Sequence, residues 1–339
     1  MTSAPQTPAE PRVGLDLGGT KISATAMWSD GTEVCRMRVP APRDDYAATI
    51  NALVALAREV VAKAGWRFPG SPGYAGERHS VNVVRGVGIG MPGSIAPATG
   101  RVQNANSTWL NGKPFARDVA AAFPVPVTLA NDANCLALSE LIDGAAQTAR
   151  TAFAVILGTG VGGGLAVRGT VHSGPNNIAG EWGHCPLPWP DGARGEVPGP
   201  QCWCGKAGCL ETWLSGPGVS ADHHRATGQR LPAEQIAALA EAGDTAAVQT
   251  LDRHGDRLAR GLAMVINLFD PDVIVLAGGL SDLPGLVERA KTGVLPHIFA
   301  TAPSITITTA QWGDDSGVRG AAWLSCGNHA RHLIGAPGP

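Results

Sequence analysis

Charge is scarce in this sequence and almost balanced. Only 16% of residues are charged and the formal net charge is −2, so nothing marks the chain as a partner of nucleic acid or of an anionic membrane surface. No apolar run approaches the roughly 20 residues of a membrane span. The opening stretch MTSAPQTPAEPR has neither the basic start nor the apolar segment of a secretory leader, so residues 1–11 are expected to form a disordered tail on a cytoplasmic protein. Cysteine is present in an odd number, seven, four of them between residues 180 and 216. That distribution argues against a disulfide framework and for a metal in a reducing compartment. Cys35, Cys135 and Cys326 stand apart and read as small buried hydrophobes.

Glycine (45) and proline (26) are abundant, which implies many tight turns. With 339 residues, 44% of them hydrophobic, the chain can bury a large core, and its length favours two domains. The glycines also reveal a repeat. Val13 to Leu17, an apolar strand interrupted by Asp16, runs into Gly18-Gly19-Thr20-Lys21, then a strand over 22–28, a turn at 29–32 and a strand over 33–39. The same order recurs from Ala152: an apolar run, the turn Gly158 to Gly164, a strand, the Arg168-Gly169 turn and a short strand. Such duplication implies two halves of like architecture.

Between the repeats, periodicity predicts a helix over Tyr46 to Ala64, an exposed loop over 66–80, a strand over 85–90, a helix over 114–123 and a strand over 125–129. Asp132 is placed to cap a helix running from Ala133 to Leu141. After the cysteine-rich segment the pattern is mostly helical, with a helix over 246–269, strands over 272–277 and 305–309, and a last helix at 316–324 expected to pack back on the N-terminal half.

Three groups of residues carry chemistry. Each glycine turn exposes backbone N–H groups able to bind phosphate, and two in a duplicated fold are how paired domains hold a nucleoside triphosphate. Asp16 would then stand near the phosphates and hold magnesium, unless it merely caps a turn. Asp132 can orient and deprotonate an attacking hydroxyl, with Asn131 beside it on a neighbouring hydroxyl, or it can serve only the helix. Cys202, Cys204 and Cys209 place three thiols within eight positions, a ligand set suited to zinc, with His184 as the natural fourth ligand. Glu181 and Glu211 lie just outside that set, and a purely structural zinc leaves them unexplained.

Taken together, DLGGTK at 16–21, GxPG at 90–93, the Asn131-Asp132 pair, GTGVGGG at 158–164, GExGH at 180–184 and CxCGxxGCxE at 202–211 resemble the ROK family of sugar kinases and repressors, from about Val13 to Leu324. The blocks PRDDY, NANSTWLNGKPF and GDDSGVRGAAWL are most similar to its bacterial fructokinases of the manno(fructo)kinase type.

The resemblance implies an α/β fold of the duplicated actin-like ATPase, hexokinase type, with two domains around a central cleft. They would be residues 12–130, joined by a C-terminal helix at about 316–332, and residues 131–315, carrying the zinc segment 180–216. It further implies Asp132 as general base, and Asn106, Asn131, Glu181, His184 and Glu211 as sugar ligands. Nucleotide is assigned to Asp16, Gly18, Gly19, Thr20, Lys21, Gly158, Thr159, Gly160, Gly278 and Gly279, and zinc to His184, Cys202, Cys204 and Cys209. The expected activity is an ATP- and magnesium-dependent fructokinase with zinc, acting on small molecules as a homodimer. The rivals are an N-acetylglucosamine or N-acetylmannosamine kinase, a glucokinase, or a non-catalytic sugar sensor. Repressors of the family carry an N-terminal helix-turn-helix domain, and only fifteen residues precede Asp16 here. The eighteen-residue interval from His184 to Cys202 departs from the commonest family pattern and should form an extra loop over 186–201.

Overall fold

The computed structural model describes residues 9–71 and 82–325. In chain order the elements are β1 (Pro11–Leu17), β2 (Lys21–Trp28), β3 (Glu33–Pro40), α1 (Tyr46–Lys63), β4 (Val87–Met91), β5 (Ser94–Ala96), β6 (Arg101–Gln103), α2 (Phe115–Ala122), β7 (Val127–Asn131) and α3 (Asp132–Asp143). Then come β8 (Thr151–Leu157), β9 (Val161–Val167), β10 (Thr170–Val171), α4 (Glu211–Leu214), α5 (Gly216–Thr227), α6 (Ala233–Glu241), α7 (Thr245–Phe269), β11 (Val273–Ala277), α8 (Leu286–Val294), β12 (Ile307–Thr309) and α9 (Ser316–Leu324). Among the described residues no helix is long and apolar enough to cross a membrane.

The chain divides into two compact units, one of residues 1–143, 169–179 and 315–339, the other of residues 144–168 and 180–314. This differs from the division expected at residue 130. Helix α3 stays with the first unit because Gly320 lets α9 approach Cys135 backbone to backbone, and the Ser316 hydroxyl donates to Glu140 at 2.8 Å.

In the first unit the sheet order is β3-β2-β1-β4-β7. β1 pairs antiparallel with β2 and parallel with β4, and β4 pairs parallel with β7. In the second unit β9-β8-β11-β12 repeats the pattern, with β8 antiparallel to β9 and parallel to β11, and β12 at the parallel edge. Each unit has its own apolar cluster. Val13, Leu15, Leu17, Ile89 and the Leu53, Leu56 and Val60 face of α1 build the first; Val155, Leu157, Ile274, Leu276 and the Leu258-Leu262 face of α7 build the second.

The period of two along a strand fixes what the other face does. Gly14 and Gly88 leave no side chain where α9 crosses: a Cβ on Gly14 would collide with the Ala322 backbone, and one on Gly88 with the Ala321 carbonyl. The helix therefore lies almost on the strands, with its start, Gly317, 3.5 Å from the Asp16 carboxylate as measured from an added Cβ.

Two expectations fail in the first unit. Trp66 and Phe68 are not in an exposed loop; they are 5% exposed each, and Trp66 packs edge-on against Trp28 with ring centroids 4.7 Å apart. The surrounding glycines and prolines hide that burial, and residues 72–80 of the expected loop lie outside the described residues. The short β5–β6 hairpin follows the Met91 to Ser94 turn and has too few residues to show periodicity. Residues 1–8, Cys326 and the end of the C-terminal segment expected at 316–332 also lie outside the described residues. The tail expected over residues 1–11 is shortened at its end, because Pro11 already pairs with Trp28 in β1.

Candidate functional site

Three parallel strand ends of the first unit carry its candidate residues. Asp16 pairs in register with Gly90 at the end of β4, and Met91 pairs with Asn131 at the end of β7. Carboxyl ends of parallel strands are where open α/β sheets place their ligands. Gly90 leaves little room for a side chain, because Asp16 Oδ1 and Cys135 Sγ each lie 3.2 Å from where its Cβ would be. Cys135 reports both acids: burial pushes its thiol well above the usual value, and the charges of Asp16 and Asp132 push it further.

Asp132 opens α3 as its first residue rather than capping it from outside. Its Oδ1 accepts the Ala133 N–H at 2.8 Å, and Asn131 Oδ1 accepts the same N–H at 2.9 Å. The Asn131 amide donates to the Gly93 carbonyl at 3.1 Å, so this side chain ties the strand end to the Met91 to Ser94 turn. Asp132 keeps part of its surface open, yet protein surrounds it closely enough for burial to raise its pKa against the lowering effect of the Ala133 N–H and Asn131. A raised pKa makes a stronger proton acceptor.

The first glycine turn closes the β1–β2 hairpin through a Gly18 N–H to Lys21 carbonyl bond of 3.0 Å and leaves Thr20 and Lys21 exposed. Against it lies the loop carrying exposed Asn106: the Ser107 hydroxyl is 3.8 Å from a Cβ built on Gly19. Ser107 is 1% exposed and its hydroxyl has no hydrogen-bond partner among the described residues. The sequence offered no signal for it beyond its place after Asn106.

In the second unit Gly158, Thr159 and Gly279 line a cavity of about 500 Å³ together with Gly216, Pro217, Ser220, Pro232, Ala233, Glu234 and Leu280. The latter group was missed in the sequence because it comes from segments far apart in the chain. Two helix starts meet here. Ser215 accepts the Gly218 N–H to cap α5, and α6 begins after Pro232 with no side-chain cap, leaving donor groups for an acceptor. Gly160 and Gly278, also expected to bind nucleotide, do not line the cavity. A Cβ on Gly160 would lie 2.8 Å from Glu211 Oε2, and Gly278, at φ 85°, presses on the Leu157 backbone. Both shape the turn rather than its surface.

The cysteine-rich segment is anchored to β9. Trp182 donates from its indole to the Gly162 carbonyl at 2.9 Å and packs edge-on against Phe153. Gly163 leaves space for it, since a Cβ there would come within 2.6 Å of Trp182. That clamp seats Glu181 just before one short turn, Trp182–His184, and His184 at its end. The ligand atoms of His184, Cys202, Cys204 and Cys209 all lie within 4.8 Å of one another. Cys202 Sγ is 3.6 Å from His184 Nδ1, and Cys204 Sγ is 3.6 Å from Cys209 Sγ. Around a tetrahedral zinc with bonds of about 2.0–2.3 Å, ligand atoms stand ~3.5 Å apart, so donor set and spacing fit. Burial pushes the Cys209 thiol up to about 12, and the Lys206 N–H lowers that of Cys204. Glu211, two residues beyond Cys209, accepts the Trp203 indole N–H at 2.7 Å on Oε1 and the Val161 N–H at 3.0 Å on Oε2.

The inserted loop is ordered by a buried acid. Glu196, 3% exposed, accepts from Arg257 Nε at 2.8 Å, from Arg260 at 2.8 and 2.9 Å, and from the Asp191 N–H at 3.0 Å. Arg260 also donates to the Trp189 carbonyl at 2.9 Å, so α7 holds the loop at several points.

Residues 12–327 match the ROK family. The chain belongs to that family. It is 38% identical over 314 residues to an N-acetyl-D-glucosamine kinase of Escherichia coli O157:H7, covering 92% of this chain and 98% of the relative. Among solved structures it resembles a ROK hexokinase from Thermus thermophilus, with TM-score 0.77 and 30% identity over 93% of this chain and 97% of the other. A ROK family glucokinase from Streptomyces griseus, solved with glucose and AMPPNP, gives TM-score 0.71 at 27% identity, covering 93% and 99%. The fold of this ROK-family chain is accordingly the actin-like ATPase fold of hexokinase type.

Proposed function

We propose that this ROK-family, ATP-dependent sugar kinase transfers a phosphoryl group to the 6-hydroxyl of N-acetyl-D-glucosamine. The observation that carries the chemistry is the placement of Asp16 at the end of β1 and of Asp132 just past the end of β7, on either side of β4, with both charges felt by the buried Cys135. Asp132 accepts the hydroxyl proton as that oxygen attacks the γ-phosphorus, late in a loose transition state. Its raised pKa suits that task. Asp16, against which a Cβ on Gly90 would press at 3.2 Å and beside which Gly317 lies, holds magnesium. A magnesium ion there would neutralise charge developing on the phosphates. Gly18, Gly19, Thr20 and Lys21 of the first turn, and Gly158, Thr159 and Gly279 of the 500 Å³ cavity, take the nucleotide.

Sugar recognition falls to Asn106 and Asn131 in the first unit and to Glu181, His184 and Glu211 in the second. His184, Cys202, Cys204 and Cys209 hold zinc, with Nδ1 turned toward Cys202 and Nε2 left for a hydroxyl. Zinc bound there would act as a cross-link that fixes the neighbouring acids. A homodimer is the assembly that the family resemblance suggests.

The choice of sugar rests on likeness to N-acetyl-D-glucosamine kinases at 36–38% identity. The sequence blocks favoured fructose, which becomes the competitor. A pocket that hydrogen-bonds an acetamide leaves those groups unmatched when the amide is absent, a penalty of orders of magnitude in selectivity. An ADP-release assay with N-acetylglucosamine, N-acetylmannosamine, glucose, mannose and fructose decides between them. N-acetylglucosamine should give the highest kcat/KM, by about tenfold or more. A higher value for fructose overturns the choice of sugar, and no turnover with any of the five overturns the kinase reading.

A further inference from the structure

The residue between the first two cysteines of the metal cluster is an exposed tryptophan, and its contacts are specific. Trp203 is 65% exposed, yet its ring stands edge-on to His184 with centroids 4.9 Å apart at 86°, and its indole N–H donates to Glu211 Oε1 at 2.7 Å. The second oxygen of the same carboxylate accepts the Val161 N–H, the first residue after the Gly158 to Gly160 turn. Gly160 permits this, since a Cβ there would strike Oε2 at 2.8 Å. Glu211 is thus held from two sides. A backbone donor at the glycine turn fixes one oxygen and the indole fixes the other.

We propose that Trp203 is a positioning residue for the sugar: it holds the Glu211 carboxylate in the orientation that receives sugar hydroxyls. This rests on the reading of Glu211 as a sugar ligand. A carboxylate on a two-methylene side chain otherwise samples several rotamers, and all but one must be given up when the sugar binds. Each oxygen has a further lone pair, so accepting from Trp203 and Val161 still leaves room for hydroxyl donors. The edge of the indole against His184 ties the same tryptophan to the second sugar-facing side chain. Because Trp203 is not part of the lining of the nucleotide cavity, its loss should be felt in sugar binding alone.

The test uses the whole protein with Trp203→Phe and Trp203→Tyr, both of which keep an aromatic ring and lack a donor at the indole position. Sugar affinity is measured by calorimetry without nucleotide, alongside kcat, the KM for ATP and metal content. Both variants should bind N-acetylglucosamine, or whichever of the five sugars the wild type prefers, about three- to tenfold more weakly. Their kcat, KM for ATP and metal content should match the wild type. Glu211→Gln serves as the control. Weaker sugar binding in Glu211→Gln with wild-type affinity in both Trp203 variants overturns the role of Trp203 and leaves Glu211 a sugar ligand. Wild-type affinity in all three removes Glu211 from the sugar site and the inference with it. A loss confined to one Trp203 variant, or one accompanied by loss of metal, marks a packing defect and likewise overturns it.

Discussion

At the scale of single residues the fold leaves Asp132 few alternatives. It stands at the junction of β7 and α3, receives one backbone N–H, and sits in surroundings that favour its neutral form. Asn131 beside it is held by the Gly93 carbonyl and the Ala133 N–H, which fixes the strand end that carries Asp132 and leaves one amide N–H and one lone pair for a sugar hydroxyl. Asp132→Asn keeps size and hydrogen bonds but cannot take a proton. Its turnover should fall on the order of a thousandfold, with sugar affinity within a few fold of the wild type, as read by ADP release and calorimetry. In the wild type, burial raises the pKa of this acid, so the acid limb of the kcat/KM profile should lie above the ordinary carboxylate range, activity falling as pH drops and protonates the base. Turnover near that of the wild type in the variant would remove Asp132 from the mechanism. A second residue-scale expectation concerns Gly88. Any Cβ there meets the Ala321 carbonyl, a backbone atom that moves only if α9 shifts. Gly88→Ala should therefore destabilise the protein by about 1–3 kcal/mol in denaturant unfolding, although it adds only a methyl group.

At the scale of elements the inserted loop between His184 and Cys202 was expected from the sequence as an extra loop, but its anchor was not. Its composition, PLPWPDGARGEVPGPQ, signals turns without naming a partner, and only Glu196 within it is deeply buried and charged. No periodicity links that residue to Arg257 and Arg260, more than sixty positions away on α7, so the anchor could not be read from spacing. Burial alone would raise the Glu196 pKa, but hydrogen bonds from Arg260, the Asp191 N–H and Arg257, with the Arg260 charge, hold it down at about 2. The sign follows directly. An acid whose pKa is lowered in the folded state contributes stability that is complete above its unfolded value of about 4.5 and is lost as pH falls toward about 2. His254, held by burial at about 4 from 6.5, gives up its contribution earlier, between those values, and Glu196 shares the lower window with Asp222 and Asp272, whose pKa values are also lowered. Glu196→Ala leaves two buried guanidinium groups without their shared acid and should cost about 3–5 kcal/mol near neutral pH. The variant's stability should then depend less on pH between about 4.5 and 2 than that of the wild type, as measured by denaturant titrations at stepped pH.

At the scale of the whole molecule the repeat was legible because it is written locally. Each half sets an apolar strand, a glycine turn and a hairpin in immediate succession, and both sheets then add parallel strands in the same order. The Asn131-Asp132 pair and the Cys/His spacing were legible for the same reason. What was not legible depends on contacts between distant segments. The division between units falls after α3 because α9 covers it through glycines nearly two hundred residues on, and no linker composition marks the place. The wall of the 500 Å³ cavity built by Gly216 to Ser220 and Pro232 to Glu234 is invisible for that reason too. The His/Cys cluster joins these scales, since His184 and the three cysteines are held together while Leu187, Leu210, Trp213 and Leu214 around them belong to the apolar cluster of the second unit. Binding free energy of a structural zinc is folding free energy for the segment that supplies its ligands. Removing the metal with a chelator should therefore release residues 184–214 in hydrogen exchange, by at least tenfold in rate, and lower sugar affinity through Glu211. The β3-β2-β1-β4-β7 sheet supplies none of the ligands and should keep its protection. Unchanged exchange across 184–214 after chelation, with metal analysis showing none bound beforehand, would mean that the four side chains meet for packing alone.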